Sequence, residues 1–433
     1  MSKILIKSAE LLSLQPPAIE AGDVRIHGDR ITEVGPSLSA FSDEEVVDAS
    51  GRLLMPGMVN AHTHLYSTLA RGMPAPKSSP RNFLEILQQV WWRLDRALDE
   101  ESIYYSALIG GIEAVRNGTT TLIDHHASPN CISGSLSIIR QALAEVGIRA
   151  VLCYEVTDRG GEKQRDLGLE ENDDFLVHRQ GDNLFKGLVG AHASFTLSEH
   201  SLRACAELAR RHKSGVHIHL AEDPCDAEIS AKEFGAANVV QRLADCGILS
   251  EKTILAHGIH LSPQDLEIIM QHRCWLIHNP RSNMNNSVGC AAVQSFGSQT
   301  SLGTDGFPSD MFEEARLAFF KGRDASNGLS PAGYLGFLAN GLELCAGIFQ
   351  EPFRGIISVN SPADLILLDY HSPTPMNASN VAGHVLFGIK SDHVTDVMIA
   401  GRWVVREKQV PGIDIAEVYS NARVAAATLW QKI

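Results

Sequence analysis

Short apolar runs and amphipathic stretches alternate along most of this chain. The runs 57–62 (GMVNAH), 119–126 (TTTLIDHH), 149–155 (RAVLCYE), 187–192 (GLVGAH), 215–222 (GVHIHLAE), 253–257 (TILAH), 274–279 (CWLIHN) and 300–306 (TSLGTDG) each read as a strand. Segments with helical spacing lie between most of them. One begins near Asp99 and stops at Asn117–Gly118, and another stops at Gly147; both endings are good C-terminal signals. Nearly continuous apolar strands separated by helices predict a parallel sheet covered by helices. Eight such units over about 300 residues predict an α/β fold of the (β/α)8 barrel type. The alternative is a doubly wound open sheet.

The two ends are patterned differently. Residues 1–56 show short strands with Gly22–Asp23, Gly28–Asp29 and Gly35–Pro36 read as the turns. The tail returns to β-type runs at 361–369, 384–389 (HVLFGI) and 394–411, the last with a hairpin turn at Gly401–Arg402. Each half is short for a core of its own. We therefore expect 1–56 and 356–412 to complete one small β-sandwich, with the barrel, 57–355, inserted between them. Two independent β-pieces are the alternative. Residues 413–433 are expected to hold a closing amphipathic helix, AEVYSNARVAAATLWQKI.

Composition narrows the class. The chain has 433 residues, 44% apolar and 20% charged, as in ordinary globular enzymes. A net charge of −14 argues against a nucleic-acid or anionic-membrane partner. No apolar run approaches the roughly 18 residues of a membrane span. The N-terminus has a charge inside its only apolar stretch and no small-residue cleavage site, so it does not read as a signal peptide. Eight scattered cysteines, none in a C-x-x-C pair, read as reduced and mostly buried in a cytoplasmic protein.

Titratable groups gather where a barrel carries chemistry, at the C-terminal strand ends. His62 and His64, His125 and His126, His192, His217 and His219, His257, His278 and Asp305 all fall there. Residues two apart on a strand leave it on the same side, so His62 pairs with His64 and His217 with His219. Imidazoles with a carboxylate suit a divalent metal ion. A lone H-x-H is most often a pair of satisfied histidines. Here H-x-H, HIHLAE, LAHG and GTDG occur together, in four strands.

PGMVNAHTH, HIHLAE, LAHGIHLS, HNPRSNMN and LGTDG, in this order, resemble the amidohydrolase superfamily. The nearest branch is the mononuclear-metal one, holding cytosine, guanine and adenosine-type deaminases and triazine hydrolases. WWRLDRALDEES and IDHHASP further resemble an aminohydrolase subgroup, SsnA, found among bacterial purine-catabolism genes. The resemblance implies that His62, His64, His219 and Asp305 bind one metal ion, zinc or alternatively iron. It implies that Glu222 shuttles protons, that His257 sits beside the activated water and that His192 lies near the substrate. Asn283 is implied to be structural or substrate-proximal. The dinuclear branches need a lysine at the fourth strand; that strand ends GLVGAHAS, and Lys186 lies at its start.

Each residue has a plainer reading. Glu222, beside Asp223, suits a surface carboxylate; Asp305 suits a helix N-cap. His125 and His126 either line the pocket or are hydrogen-bonded locally. His217 is expected beside the metal site without ligating it, and His260 and His278 are expected to be structural. The long connection 65–98 carries Arg71, Phe83, Trp91 and Trp92, and loops of that length usually serve function. Arg71, Trp92, His125 and His192 are the expected substrate contacts, with Arg281 a further candidate; helical spacing in VWWRLDRAL makes packing the competing role for a tryptophan.

The expected activity is metal-dependent release of ammonia from a small nitrogen heterocycle of purine type. A metal-activated water attacks a C=N carbon, with Glu222, His257 and Asp305 handling protons. Hydrolytic ring opening of a cyclic amide or amidine uses the same machinery and is the alternative. A catalytically dead barrel that only binds ligands is a third reading, opposed by the complete ligand set. A homo-oligomer is expected from general frequency, with no nucleic acid or membrane as partner.

Overall fold

The computed structural model describes residues 2–179 and 181–433. The chain opens with five strands: β1 (Lys3–Leu14), β2 (Pro17–His27), β3 (Arg30–Gly35), β4 (Glu45–Asp48) and β5 (Leu53–Pro56). The parallel series follows: β6 (Met58–Thr63), β7 (Thr119–His126), β8 (Arg149–Val156), a short β9 (Phe185–Gly187), β10 (Val189–Ala193), β11 (Val216–Leu220), β12 (Ile254–His257), β13 (Trp275–His278) and β14 (Thr300–Leu302). The tail adds β15 (Leu365–Leu368), β16 (Val394–Ile399) and β17 (Arg402–Val405).

In the second series β6, β7, β8, β10, β11, β12, β13 and β14 pair in sequence order and in parallel. A parallel bridge from Thr63 to Asp305 closes the ring. The N–H groups of Thr304 and Asp305 donate to the His62 carbonyl at 2.9 and 3.0 Å across that seam. The expected (β/α)8 barrel is therefore what forms. Its strands are buried along nearly their whole length, which is why they read as unbroken apolar runs. The helix Glu100–Arg116 starts where Asp99 and Ser102 form a reciprocal capping box and ends before Gly118, at φ +80°.

The two chain ends make one sheet in the order β17-β16-β15-β5-β1-β2-β3, with β4 also paired to β1. Most of its pairings are antiparallel. Leu365 and Leu367 point into a core shared with Ile4, Ile6, Val24 and Ile26. Ile366 and Leu368, on the other face, join the core continuous with the barrel. The buried Arg149 at the start of β8 donates to both oxygens of Asp364, at 2.9 and 3.1 Å. That pair ties the terminal sheet to the bottom of the barrel.

Four details differ from the sequence reading. Gly22–Asp23 is no turn: it lies within β2, opposite a bulge in β1 between Ile6 and Ala9. Asp23 there accepts the N–H groups of Ser8 and Leu38, each at 2.7 Å, so its polarity serves the bulge. The β16–β17 turn is centred on Ala400–Gly401, both at positive φ, one residue earlier than expected. HVLFGI is not a strand: His384–Gly388 is a π-helical turn, held by Arg316, which donates to the carbonyls of Leu386 and Ile389. The helix Pro331–Phe349, with mean hydropathy 1.3, is long and apolar enough to cross a membrane. It packs against β6, β14 and β1, and this enclosed position explains its apolar surface.

Candidate metal and active site

His62 ends β6 with its neighbours, His64 follows directly, His219 comes from β11, and Asp305 lies just beyond β14. Their ligand atoms all fall within 4.8 Å of one another. His64 donates from Nδ1 to the His125 carbonyl at 2.6 Å, and His219 from Nδ1 to the His192 carbonyl at 2.8 Å. Those bonds fix both tautomers, so two Nε2 lone pairs face each other at 3.1 Å. Lone pairs so close repel unless a positive centre lies between them. His62 Nδ1 contacts His217 Nε2 at 2.8 Å, while its Nε2 is buried without a hydrogen-bond partner, 3.6 Å from Asp305 Oδ1. Burial drives His62 down to about 3 and His219 well below the ordinary imidazole range, keeping both neutral. His64 is drawn the other way, to about 9: burial opposes this, but the Asp305 carboxylate 3.0 Å away outweighs it, and the positive centre it calls for at Nε2 is one that a proton or a cation can supply. Three imidazole nitrogens and one carboxylate oxygen, converging on one point, fit a divalent cation.

The backbone is shaped to bring these groups together. Asp305 has φ +53° and His257 φ +79°, conformations rare for residues with a Cβ. Gly303 passes so close to β6 that a Cβ there would sit 2.8 Å from the His62 carbonyl and 2.5 Å from Asn279 Oδ1.

Glu222 and His257 stand beside the cluster. His257 Nε2 is 3.4 Å from Glu222 Oε2, and its Nδ1 donates to Asn283 Oδ1 at 2.9 Å. Asn283 thus orients His257. Asn286 donates to Glu222 Oε1 at 3.2 Å, and the Ser282 hydroxyl donates to Asp305 Oδ2. The two carboxyls are pushed apart. Burial, reinforced by the charge of Asp305, raises Glu222 well above the usual carboxyl range. Burial also works on Asp305, but the imidazoles of His62 and His64 facing it hold it well below that range. Two carboxyls driven in opposite directions can divide the giving and taking of a proton between them.

A model of the Amidohydrolase family matches residues 53–404. The chain belongs to the amidohydrolase family. It is 30% identical to a 5'-deoxyadenosine deaminase of Methanobrevibacter smithii over 439 residues, 98% of each chain. It is 27% identical to a 5-methylthioadenosine/S-adenosylhomocysteine deaminase of Caldanaerobacter subterraneus, again over 98% of each. In fold it resembles an adenosine deaminase from Xanthomonas campestris solved with bound zinc, with TM-score 0.87 and 22% identity over 99% of both chains. It also resembles the atrazine chlorohydrolase TrzN of Arthrobacter aurescens, solved with zinc, with TM-score 0.83 and 20% identity over 98% of this chain and 100% of that one.

Above the histidine–aspartate cluster this amidohydrolase opens into a cleft whose empty space, open solvent included, is about 820 Å³. His192, Trp91, Trp92 and Phe83 line it. The consecutive tryptophans reach it together where a π-helical turn, Leu87–Trp91, meets the helix Trp92–Ala97. Two expected substrate contacts are not in the cleft. Arg71 lies outside it with its side chain 56% exposed, and its guanidinium is taken by both oxygens of Glu113, each at 2.8 Å. His125 is wholly buried beneath the ligands; its Nε2 reaches the carbonyls of Ala191 and His217, both at 3.1 Å. His126 bonds Ser128 at 2.9 Å, and His217 Nε2 lies 2.8 Å from His62 Nδ1. Arg281 is likewise occupied, by Glu313, Glu314 and the Pro308 carbonyl.

The sequence reading missed Glu155, Arg159 and Asp95. Glu155, at the end of β8, lines the cleft and lies 3.5 Å from His125 Nδ1. Arg159 Nη2 reaches Glu155 and Asp95, both at 3.0 Å, and its guanidinium lies 4.6 Å from the Trp92 ring centre. Glu155 was visible as the last residue of RAVLCYE, a charge at a strand end like the others. Asp95 was not, because it lies within a helical segment.

Proposed function

We propose that this amidohydrolase deaminates an aminopurine base or nucleoside, replacing an exocyclic amino group by oxygen and releasing ammonia. The observation that carries this is the geometry of the cleft floor, where three imidazoles and the Asp305 carboxylate converge on one point and Glu222 and His257 stand beside them, 3.4 Å apart. The named activities of the relatives, each covering nearly the whole chain, support the choice of bond.

His62, His64, His219 and Asp305 would hold one divalent cation, for which we assign zinc; such an ion lowers the pKa of a water from 15.7 to about 7. The residues of the chain then divide the work. The aromatic wall of Trp91, Trp92 and Phe83 stacks on a planar ring. Asp305 accepts a proton from the attacking water. His257, its Nδ1 proton committed to Asn283, offers Nε2 as an acceptor that orients the water. Glu222 gives its proton to the ring nitrogen next to the carbon under attack, so that carbon can become tetrahedral. The proton held by Asp305 passes to the amino nitrogen, the C–N bond breaks, and ammonia leaves. Glu222 recovers a proton as the C=O forms.

The test is ammonia release followed with the ultraviolet spectrum on amino- and oxopurines, their nucleosides and ring-opened products. Ammonia with a shifted but persisting heterocycle band is the expected result. Loss of the band without ammonia would replace deamination by ring opening.

A further inference from the structure

The charge of the cleft bears on substrate class, an inference that rests on the deaminase reading above. Six carboxyl groups line the cleft: Asp95, Glu155, Glu222, Asp223, Asp226 and Asp305. Among the residues that line it there is no lysine and no arginine. The arginines packed nearest are engaged elsewhere, and the nitrogens they leave over, Arg159 Nη1 and Arg242 Nε, are buried away from solvent. Arg159 is held by Asp95 and Glu155 at 3.0 Å each, behind Trp92. Arg242 donates to the carbonyls of Ser194 and Leu197 at 2.6 and 2.7 Å. Arg281 is taken by Glu313 and Glu314, and Arg71 by Glu113. With Glu222 counted as neutral, the other five carboxylates still outnumber the three positive charges of a dication at the ligand cluster and the Arg159 guanidinium. Water-excluding aromatic walls, from Tyr66, Phe83, Trp91, Trp92, Phe195 and Phe307, lower the local dielectric and lengthen the reach of those charges.

We propose that the cleft accepts uncharged or cationic aminopurine derivatives and rejects those that carry a phosphate or a carboxylate. A phosphate or carboxylate entering here meets like charge and finds no guanidinium or ammonium to pair with. Asp223 is the carboxylate most open to such a tail: it is only half-buried and caps the helix Pro224–Phe234 by accepting the Cys225 N–H at 3.0 Å.

The experiment compares kcat/KM of the metal-loaded enzyme for two pairs: adenosine-5'-carboxamide against adenosine-5'-carboxylate, and adenosine against its 5'-phosphate. The uncharged member is expected to lead by at least about 30-fold, the size of two or three unpaired like charges within about 8 Å. That ratio should shrink several-fold between about 0.02 M and about 0.5 M salt, since screening acts on charge and not on tail size. Asp223→Asn keeps a good helix cap and should lower the ratio by about 3-fold. An anionic member turned over within about 3-fold of its uncharged partner overturns the proposal. So does a ratio that responds to neither salt nor Asp223→Asn. If no member releases ammonia, the deaminase reading falls, and calorimetric binding of the same pairs decides the charge rule. Tighter binding of the uncharged member upholds the rule; equal or tighter binding of the anion, or no binding by either, overturns it.

Discussion

The terminal sheet and the mouth of the barrel both bury carboxylates, and they treat them differently. In the terminal sheet each oxygen has a partner. Asp23 accepts two backbone N–H groups, from Ser8 and Leu38. Asp364 accepts Arg149 on both oxygens and the Ala400 N–H on one. Asp396 accepts the Glu407 N–H and Arg52. At the barrel mouth, buried polar atoms are left over: His62 Nε2, His257 Nε2, Asp95 Oδ1, Asp124 Oδ2 and Asp226 Oδ1 among them. Orphaned groups in a low-dielectric site are costly. A fold that satisfies its buried carboxylates in one half and not in the other reserves the second set for something that binds. The same mouth also holds φ values of +53° and +79° at Asp305 and His257.

That contrast can be broken at either end. Glu222→Gln should lower kcat by roughly 10³-fold while metal content, read by elemental analysis, stays at the wild-type level. Near-normal turnover would remove Glu222 from the proton path. Asp364→Ala should act in the opposite sense, costing about 3–5 kcal/mol of stability by leaving the Arg149 charge buried and unpaired. Chemical denaturation checks the stability, and activity per folded molecule should not change.

Acid should separate the halves further. Burial holds His126 and His278 down at about 3 in the fold, against 6.5 in the unfolded chain. Between those values the unfolded chain binds more protons, so stability falls as pH drops below 6.5 and is fully present above it. At pH 5 the loss should be about 2 kcal/mol per histidine, read as a falling melting temperature. A flat profile from pH 7 to 5 would contradict it. Asn283→Ala should lower kcat about tenfold by freeing the His257 ring, with rescue by Asn283→Asp through its remaining acceptor oxygen. The smallest effect belongs to the terminal sheet. Ser8, at φ +60° in the β1 bulge, should tolerate glycine with a gain under about 1 kcal/mol.

The barrel was legible because its strands are buried on both faces and its helices carry ordinary stop signals; β7 runs 119–126 as read. The four clustered ligands were legible for a different reason, since polar residues at the end of an apolar strand have few structural uses. What stayed hidden depends on partners far away in sequence. Nothing local shows that Arg71 meets Glu113, or that Asp95 meets Arg159. HVLFGI is apolar in both helical and extended readings, and only the Arg316 bonds to its carbonyls favour the coil it forms. Gly22–Asp23 has the composition of a turn, yet it faces a bulge that lies on another strand.

The seam of the barrel and the ligand cluster share residues. The carbonyl of His62 receives the N–H of Asp305, and Thr63 bridges to Asp305 itself. During synthesis His62 and His64 emerge early, and the carboxylate that completes their set emerges only with the last barrel strand. Metal loading would therefore be tied to completion of the ring: a nascent chain still short of β14 offers imidazoles alone. A cation held at the finished seam would stabilise the closed ring over one whose first and last strands have parted, and would act as a fastener as well as a reagent.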